Sequence, residues 1–325
     1  MEIKVCRSIE WSNIEWETYR FGFNEVFHRD FPTSYFKEKY LSVFKGYACH
    51  ALLLSDKGDA VGGVTVIPCF YNRNEDTFVN GLAVDVFIRE AYRIDPLMLL
   101  RMYKKLKNLL EEEGIVAVIA VPNAIAYPYW KSIIKLKDIG NISYWVLPVN
   151  AGNILGKKGC FKSILNFSSQ CYCFIIYFFS MICSLSGTKD KVYKYNICKF
   201  DPYFIEKFNN KSYIKCHDAA GLSYMYKIEY ENGVKTGYLL DAENENVRTF
   251  RAFMEAVKAI LNNNVDIVLY VGKVGFFQTL LLRVPRRFEP KLLPLICDLI
   301  SKDEKYSDML DYKNWDFGLK NYDVR

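Results

Sequence analysis

The 325-residue chain predicts a mixed α/β protein of two units, each an α+β mixed sheet around a strand–helix–strand crossover. Three observations carry that expectation. The length exceeds the ~100–200 residues that one ordinary core organises. The order hairpin, helix, strand occurs twice, over residues 51–121 and again over 222–271. In both copies the helix lies between apolar strands at the spacing of a right-handed βαβ unit. The expected divisions are 1–155 for the first unit, 156–198 for a linker carrying an apolar helix, and 199–325 for a second, degenerate unit.

The elements follow in order. Residues 14–45 read as two helices, because Trp16, Phe21, Phe23, Val26 and Phe27 make an apolar side and Phe31-Pro32-Thr33 interrupts the pattern. A strand at 51–54, a polar Gly-containing turn at 55–59 and a strand at 60–68 form a hairpin. A polar stretch at 72–76 leads into a strand at 78–86. The helix at 96–113 opens on Asp95, a good N-cap, with Pro96 in its first turn. Leu99, Leu100, Tyr103, Leu106 and Leu110 line its inner face, and Gly114 ends it. The wholly apolar 115–121 suits a strand covered on both faces. In the last third, strands at 222–230 and 234–240 flank the turn Glu231-Asn232-Gly233. A helix at 247–261 and a strand at 265–271 complete the second copy.

Between the copies, 152–159 is small and basic, and 171–185 carries no charge. Lys162 precedes this run and Lys189, Lys191 and Lys194 follow it. Three readings stay open: a helix packed between the units, a helix in a membrane interface contacting it through 164–185 with lysines at the headgroups, and a spanning helix. The last is disfavoured, because the run falls short of the ~20 residues that crossing requires.

Composition narrows the classes. A hydrophobic fraction of 51% with 25% charged residues describes a folded chain rather than a disordered one. The net charge of +6 is spread thinly, with no basic stripe, so a nucleic-acid partner is not expected. Ten cysteines occur without a CxxC pair, and none of the three histidines stands beside a Cys pair at zinc spacing. No metal is expected, and the thiols read as free and buried in a reducing cytoplasm. Met1-Glu2-Ile3-Lys4 does not open a secretion signal.

The chemistry concentrates in Gly81-Leu82-Ala83-Val84-Asp85, with Val86, Arg89, Arg93 and the helix from Pro96. This stretch resembles the central motif of the GNAT acyltransferases, and Asp59 to Val64 upstream and Val118 to Val121, Asn123 and Ala126 downstream resemble its neighbours. The last third resembles a second copy, as in tandem-GNAT and Fem-type transferases. The resemblance implies acyl-CoA, such as acetyl-CoA, as co-substrate. Its pantetheine arm would lie on Ala83, Val84, Asp85 and Val86 where that strand splays from the strand of Val118. The family holds the pyrophosphate on a glycine-rich loop and a helix N-terminus. Here Arg89-Glu90-Ala91-Tyr92-Arg93-Ile94-Asp95-Pro96 has no glycine, so the expectation passes to Arg89 and Arg93, one of which should reach the helix start and offset Asp95. The alternative is that both are solvated.

The resemblance also implies a proton donor for the leaving thiolate, at a place where this chain has Trp130. Tyr127 and Tyr129 beside it are the candidates, against plain aromatic packing. Asp85 is the candidate base for an attacking amine, with Glu90 also available. The basic segment Arg283 to Pro290 reads either as contacts for a phosphorylated or nucleotide-linked substrate or as a solvated loop. Asn314-Trp315-Asp316-Phe317-Gly318 and Tyr322-Asp323 resemble the ends of proteins from surface-polysaccharide loci. The functional expectation is therefore acyl transfer to a small-molecule amine, an amino sugar or other cell-envelope precursor. The alternatives are a non-catalytic scaffold of the same fold at the membrane surface and a Fem-type aminoacyl transferase.

Overall fold

The computed structural model describes every residue except 75, 186–187, 191–192, 210–211, 220 and 323–325. Lys191 and Asp323, named above, lie outside the described residues. Two compact units form, and their sequences interleave. Unit one comprises Met1–Asn141, Tyr193–Phe208 and Lys291–Trp315, and unit two comprises Ile142–Val192, Asn209–Pro290 and Asp316–Arg325.

Unit one contains β1 (Glu2–Arg7), α1 (Asn13–Phe27), α2 (Thr33–Leu41), β2 (Cys49–Leu54), β3 (Ala60–Arg73), β4 (Asp76–Ile88), α3 (Met98–Glu112), β5 (Ala117–Ala120) and β6 (Lys137–Asn141). Ser12 starts α1 with a capping box shared with Glu15, and Pro32 separates α2 from α1. The period-two alternation of β2 sends Cys49, Ala51 and Leu53 into the core cluster that α3 fills with Met102, Leu106 and Leu110. α1 lies against β3 and β4. The C-terminus of α3 is tied down by Glu113, which accepts hydrogen bonds from Arg7 (2.7 Å), Lys45 (2.5 Å) and Tyr47 (2.6 Å). Burial alone would raise the pKa of this carboxyl, but the three donors outweigh it and bring it down to about 2.

Unit two contains β7 (Tyr144–Pro148), α4 (Ala151–Ile154) and α5 (Gly159–Ser184). β8 (Tyr195–Ile197) and α6 (Pro202–Lys207) then return to unit one. Unit two resumes with β9 (Tyr213–His217), β10 (Leu222–Glu231), β11 (Val234–Asn244), α7 (Phe250–Leu261), β12 (Ile267–Val271) and β13 (Leu282–Arg283). β14 (Pro294–Leu299) lies in unit one, and β15 (Trp315–Asp316) is the last strand. The two mixed sheets run β1-β2-β3-β4-β5-β14-β6, with β8 on β3 and β15 on β8, and β13-β7-β12-β11-β10-β9.

The sheets explain the interleaving. β5 is flanked by β14, from the last third of the chain, with Ile296 opposite Ala120. β12 is flanked by β7, which follows β6 directly in sequence but pairs in the other sheet. Each crossover strand is thus covered by a strand from the opposite half of the sequence. This moves the division expected at 155 back to Asn141. It also replaces the expected linker at 156–198, because 159–184 is one helix of unit two and 193–208 belongs to unit one. β5 is buried along its length, so its second edge needs a partner, and β14 supplies it.

Two smaller differences are local. α3 begins at Met98 rather than 96, because Asp95-Pro96-Leu97 forms a turn closed by Met98 N–H to the Asp95 carbonyl (3.0 Å). β3 runs on to Arg73, because Asn74, at φ +54°, makes a tighter hairpin than the polar stretch suggested.

Expression of 1–155 alone should give an insoluble or molten product, since the edge of β5 loses Leu295, Ile296 and Cys297, each 1% exposed or less. A cooperative unfolding transition in that fragment would contradict the strand exchange.

Candidate active site at the end of the fourth strand

β4 and β5 run parallel and pair at Gly81↔Val118 and Leu82↔Ile119. β5 ends at Ala120, whereas β4 continues through Ile88. At ~3.3 Å per residue, that leaves about 20 Å of β4 beyond its last parallel pair. The ladder between these strands ends at Leu82, short of Val84, where the sequence predicts that the strand splays. Ala83, Val84, Asp85 and Val86 all lie on this stretch and are half-buried.

A β-bulge shapes it. Thr65 pairs with Val84 and Gly63 with Phe87, so Val64 faces two residues of β4. Asp85, at φ +50°, takes the left-handed conformation, which Asp tolerates better than most residues. Its carboxylate is paired with Lys39 of α2 at 2.8 Å, with both side chains under 9% exposed, and accepts a hydrogen bond from Tyr40 at 2.6 Å. Behind it, the Tyr40 hydroxyl meets Tyr19 (2.8 Å), Tyr19 meets Thr65 (3.1 Å), and Thr65 meets His50 Nδ1 (3.0 Å). A Cβ on Gly63 would come within 2.8 Å of the Tyr19 ring, so glycine is required for that ring to lie on β3. Burial raises the Tyr19 and Tyr40 pKa values, helped by the nearby Asp85 charge, and lowers that of His50, which stays neutral.

The other expected site residues are placed differently. Arg89 is bound to Glu25 of α1 through Nε (3.1 Å) and a terminal nitrogen (2.7 Å), over the rings of Phe21 and Tyr92. Arg93 donates to the Ile88 carbonyl at 2.7 Å. The charge of Asp95 is offset instead by Arg101, at 3.1 Å, one helical turn into α3. The Asp95 carboxylate also accepts from the N–H of Leu97, the N-cap residue, at 2.8 Å, within the turn that precedes α3. The side-chain oxygen of Asn123 accepts from the amides of Ile125 and Ala126 and so holds the turn after β5. That turn leads into a π-helix, Tyr129–Ile134. Tyr127 donates to Asp138 and accepts from Lys131 (2.9 Å), Tyr129 is exposed, and Trp130 is buried edge-on to Tyr103. Glu90 is exposed in a 3-10 turn. The structure therefore brings Asp85 together with Lys39, Tyr40 and Tyr19, none of which stood out in the sequence.

Unit two repeats the grammar. β11 pairs with β12 from Thr236↔Ile267 to Leu239↔Tyr270, and an irregularity in the β10–β11 pairing falls at Leu240. Asp241 follows and is paired with Lys320 at 3.2 Å. Here the chain's own end fills the opening. Leu319 N–H bonds the Val271 carbonyl (2.9 Å), and a Cβ on Gly318 would come within 2.5 Å of that same oxygen. Buried Arg248 binds Asp190 (2.8 Å) and Asp316 (2.9 Å). Asp316 to Gly318 thus serve structure in this copy, whereas Asn314 and Trp315 bond to Asp308 and Met309 of unit one. In the Arg283 to Pro290 segment, Arg283 donates to Ser143 (3.2 Å) and Arg287 lies over Phe288.

No family model and no curated protein matches the sequence. Among solved structures, the chain is similar to a GCN5-related N-acetyltransferase from Anabaena variabilis, with a TM-score of 0.58 at 11% identity over 92% of this chain and 73% of that one. A GCN5-related N-acetyltransferase from Kribbella flavida gives 0.56 at 6% identity over 92% and 72%. The N-myristoyltransferase of Saccharomyces cerevisiae with bound myristoyl-CoA gives 0.51 at 10% identity over 91% and 82%. The structural neighbours are GNAT-type acyltransferases, and the resemblance seen around Val84 holds at the level of the fold.

Removing one partner of the buried Lys39–Asp85 pair should cost ~3 kcal/mol or more, because the other charge stays buried. Urea unfolding should show Lys39→Met to be strongly destabilised and Lys39→Met/Asp85→Asn to be less so, Asn being compatible with positive φ. Equal losses in the single and double variants would mean that the pair does not hold the bulge.

Proposed function

We propose that the protein transfers an acyl group from acyl-CoA to a small amine, and that unit one carries the site. The observation that supports this reading is the free stretch of β4 beyond Leu82, bulged at Asp85 beside the end of β5. An extended chain such as a pantetheine arm can pair with such an edge as a further strand would. The sealed opening of unit two leaves unit one as the place for chemistry. Direct attack by an amine on a thioester needs positioning and stabilisation of the developing oxyanion, with no covalent link to the enzyme. Backbone N–H groups on the free stretch of β4 suit that second task. Asp85, hydrogen-bonded to Tyr40, supplies a carboxylate through which a proton from the amine can pass.

The residues fit the arm of the co-substrate and depart from the family's phosphate cradle. Residues 89–96 contain no glycine, and Asp95 sets a carboxylate in the turn before α3. Side chains must therefore meet the diphosphate. We assign this to Arg101 with Lys104 and Lys105, three cations that line an open groove of about 540 Å³ with Met1, Glu2, Ile3, Leu53 and Met98. An amino sugar or cell-envelope precursor remains our choice of acceptor, on the resemblance of the C-terminal motif. The missing glycines favour a second reading, a GNAT-fold scaffold that has given up its co-substrate.

Thermal unfolding with acetyl-CoA and longer acyl-CoAs separates the two. A ligand at 100 times its Kd should stabilise by ~2.7 kcal/mol, a rise in Tm of several degrees. Arg101→Ala/Lys104→Ala should weaken that binding by ~1.5–3 kcal/mol per lost contact, whereas Arg89→Ala should leave it nearly unchanged, its pair with Glu25 being a surface one. No shift with any acyl-CoA would leave the scaffold.

A further inference from the structure

α5 exposes a row of apolar side chains that a helix in water would bury. The residues it buries against unit two are small, Ser169, Cys173, Ser180 and Ser184 at successive spacings of four, seven and four, with Tyr172, Ile176 and Tyr177 packed partly buried against the same core. Ser169 donates to the Val149 carbonyl (2.8 Å), Cys173 to Pro148 (3.2 Å), and Ser180 bonds Thr279 (2.7 Å). A second row of large apolar side chains points outward. Phe167, Phe174 and Ile175 are 69%, 76% and 67% exposed, and Phe178, Phe179 and Ile182 continue the row. A surface helix in water keeps its large apolar residues on the protein side, whereas such a row facing outward belongs to helices solvated by lipid. The helix is long and apolar enough to cross a membrane by length and composition, with only 17% of its most apolar window buried. One face is nevertheless fixed to the protein along its length, so lipid can reach only the other.

The surrounding charge says which surface covers it. No Asp or Glu stands between Asp138 and Asp190, and Asp190 is itself buried against Arg248. Exposed Lys157, Lys158 and Lys162 border the start of α5, and exposed Lys189 follows its end. Phe277, 64% exposed, adds to the patch at that end, where Thr188 donates to its carbonyl (3.4 Å). We propose that this face of α5 lies in the plane of a phospholipid bilayer with anionic headgroups, its phenylalanines at the acyl boundary and its lysines at the phosphates. The proposal is independent of acyl transfer, because membrane binding needs no co-substrate.

Full-length protein should co-sediment with vesicles of phosphatidylcholine containing phosphatidylglycerol, more weakly with phosphatidylcholine alone, and less as salt rises. Phe174→Ser/Phe178→Ser/Phe179→Ser should lower binding by about a hundredfold or more at unchanged far-UV circular dichroism. If that variant fails to fold, Lys157→Glu/Lys158→Glu/Lys162→Glu, all on exposed positions, should still reduce binding to the anionic vesicles. Binding that ignores both sets of changes overturns the proposal. So does a parent that stays off vesicles, whether it is a monomer or a dimer that the Phe variant dissociates; in the latter case a second copy covers the face.

Discussion

β4 stops pairing with β5 at Leu82, next to the end of β5 at Ala120, and three residues on it holds Asp85 at positive φ with its carboxylate buried on Lys39 and Tyr40. The bulge turns the strand and spares its far edge from the ladder. Two helices depend on the same contact. α2 is fixed through Lys39 and Tyr40, and α1 through Tyr19, whose hydroxyl joins Tyr40 to Thr65. A pair whose rupture costs ~3–5 kcal/mol is a large share of the 5–15 kcal/mol by which a folded protein is stable. The open edge is therefore built into the stability of unit one. Unit two has the same break after Leu239 and an Asp–Lys pair beside it, but there the lysine arrives on the chain terminus and closes the gap.

The exchange of β7 and β14 has a different consequence. A parallel crossover leaves β5 and β12 each needing a partner on the far side, and in both sheets the partner is distant in sequence. Neither sheet is complete until both halves of the chain have been made. Non-local pairing of this kind slows folding and exposes strand edges meanwhile.

The repeated crossover was legible because it rests on local signals: the period of Leu99, Tyr103, Leu106 and Leu110, the turn Glu231-Asn232-Gly233, and the apolar 115–121. The splayed strand was legible from the motif around Val84. The exchange was not, since Ile142 and Ser143 carry no mark that β7 leaves the sheet of β6. The site was half legible. Asp85 stood out on its strand, but Lys39, Tyr40 and Tyr19 lie on two helices far back in sequence, and an aromatic-rich chain hides these two tyrosines among 24. Arg89 and Arg93 misled because loop arginines near a helix start are common, and nothing in the sequence shows that Glu25 lies opposite one of them. In α5 the apolar run was visible, and its exposed apolar row was not, because hydropathy alone does not say which side of a helix meets the protein.

The central claim is that the edge of β4 from Ala83 to Val86 is where an acyl thioester lies. Amide hydrogen exchange on the intact protein, with and without a saturating non-hydrolysable acyl-CoA analogue, tests it most directly. The account predicts slowed exchange on 83–86 and the first turn of α3, with little change on β11, where Lys320 and Leu319 already fill the corresponding gap. Protection confined to unit two, or none on 83–86 while the analogue is bound, would contradict it.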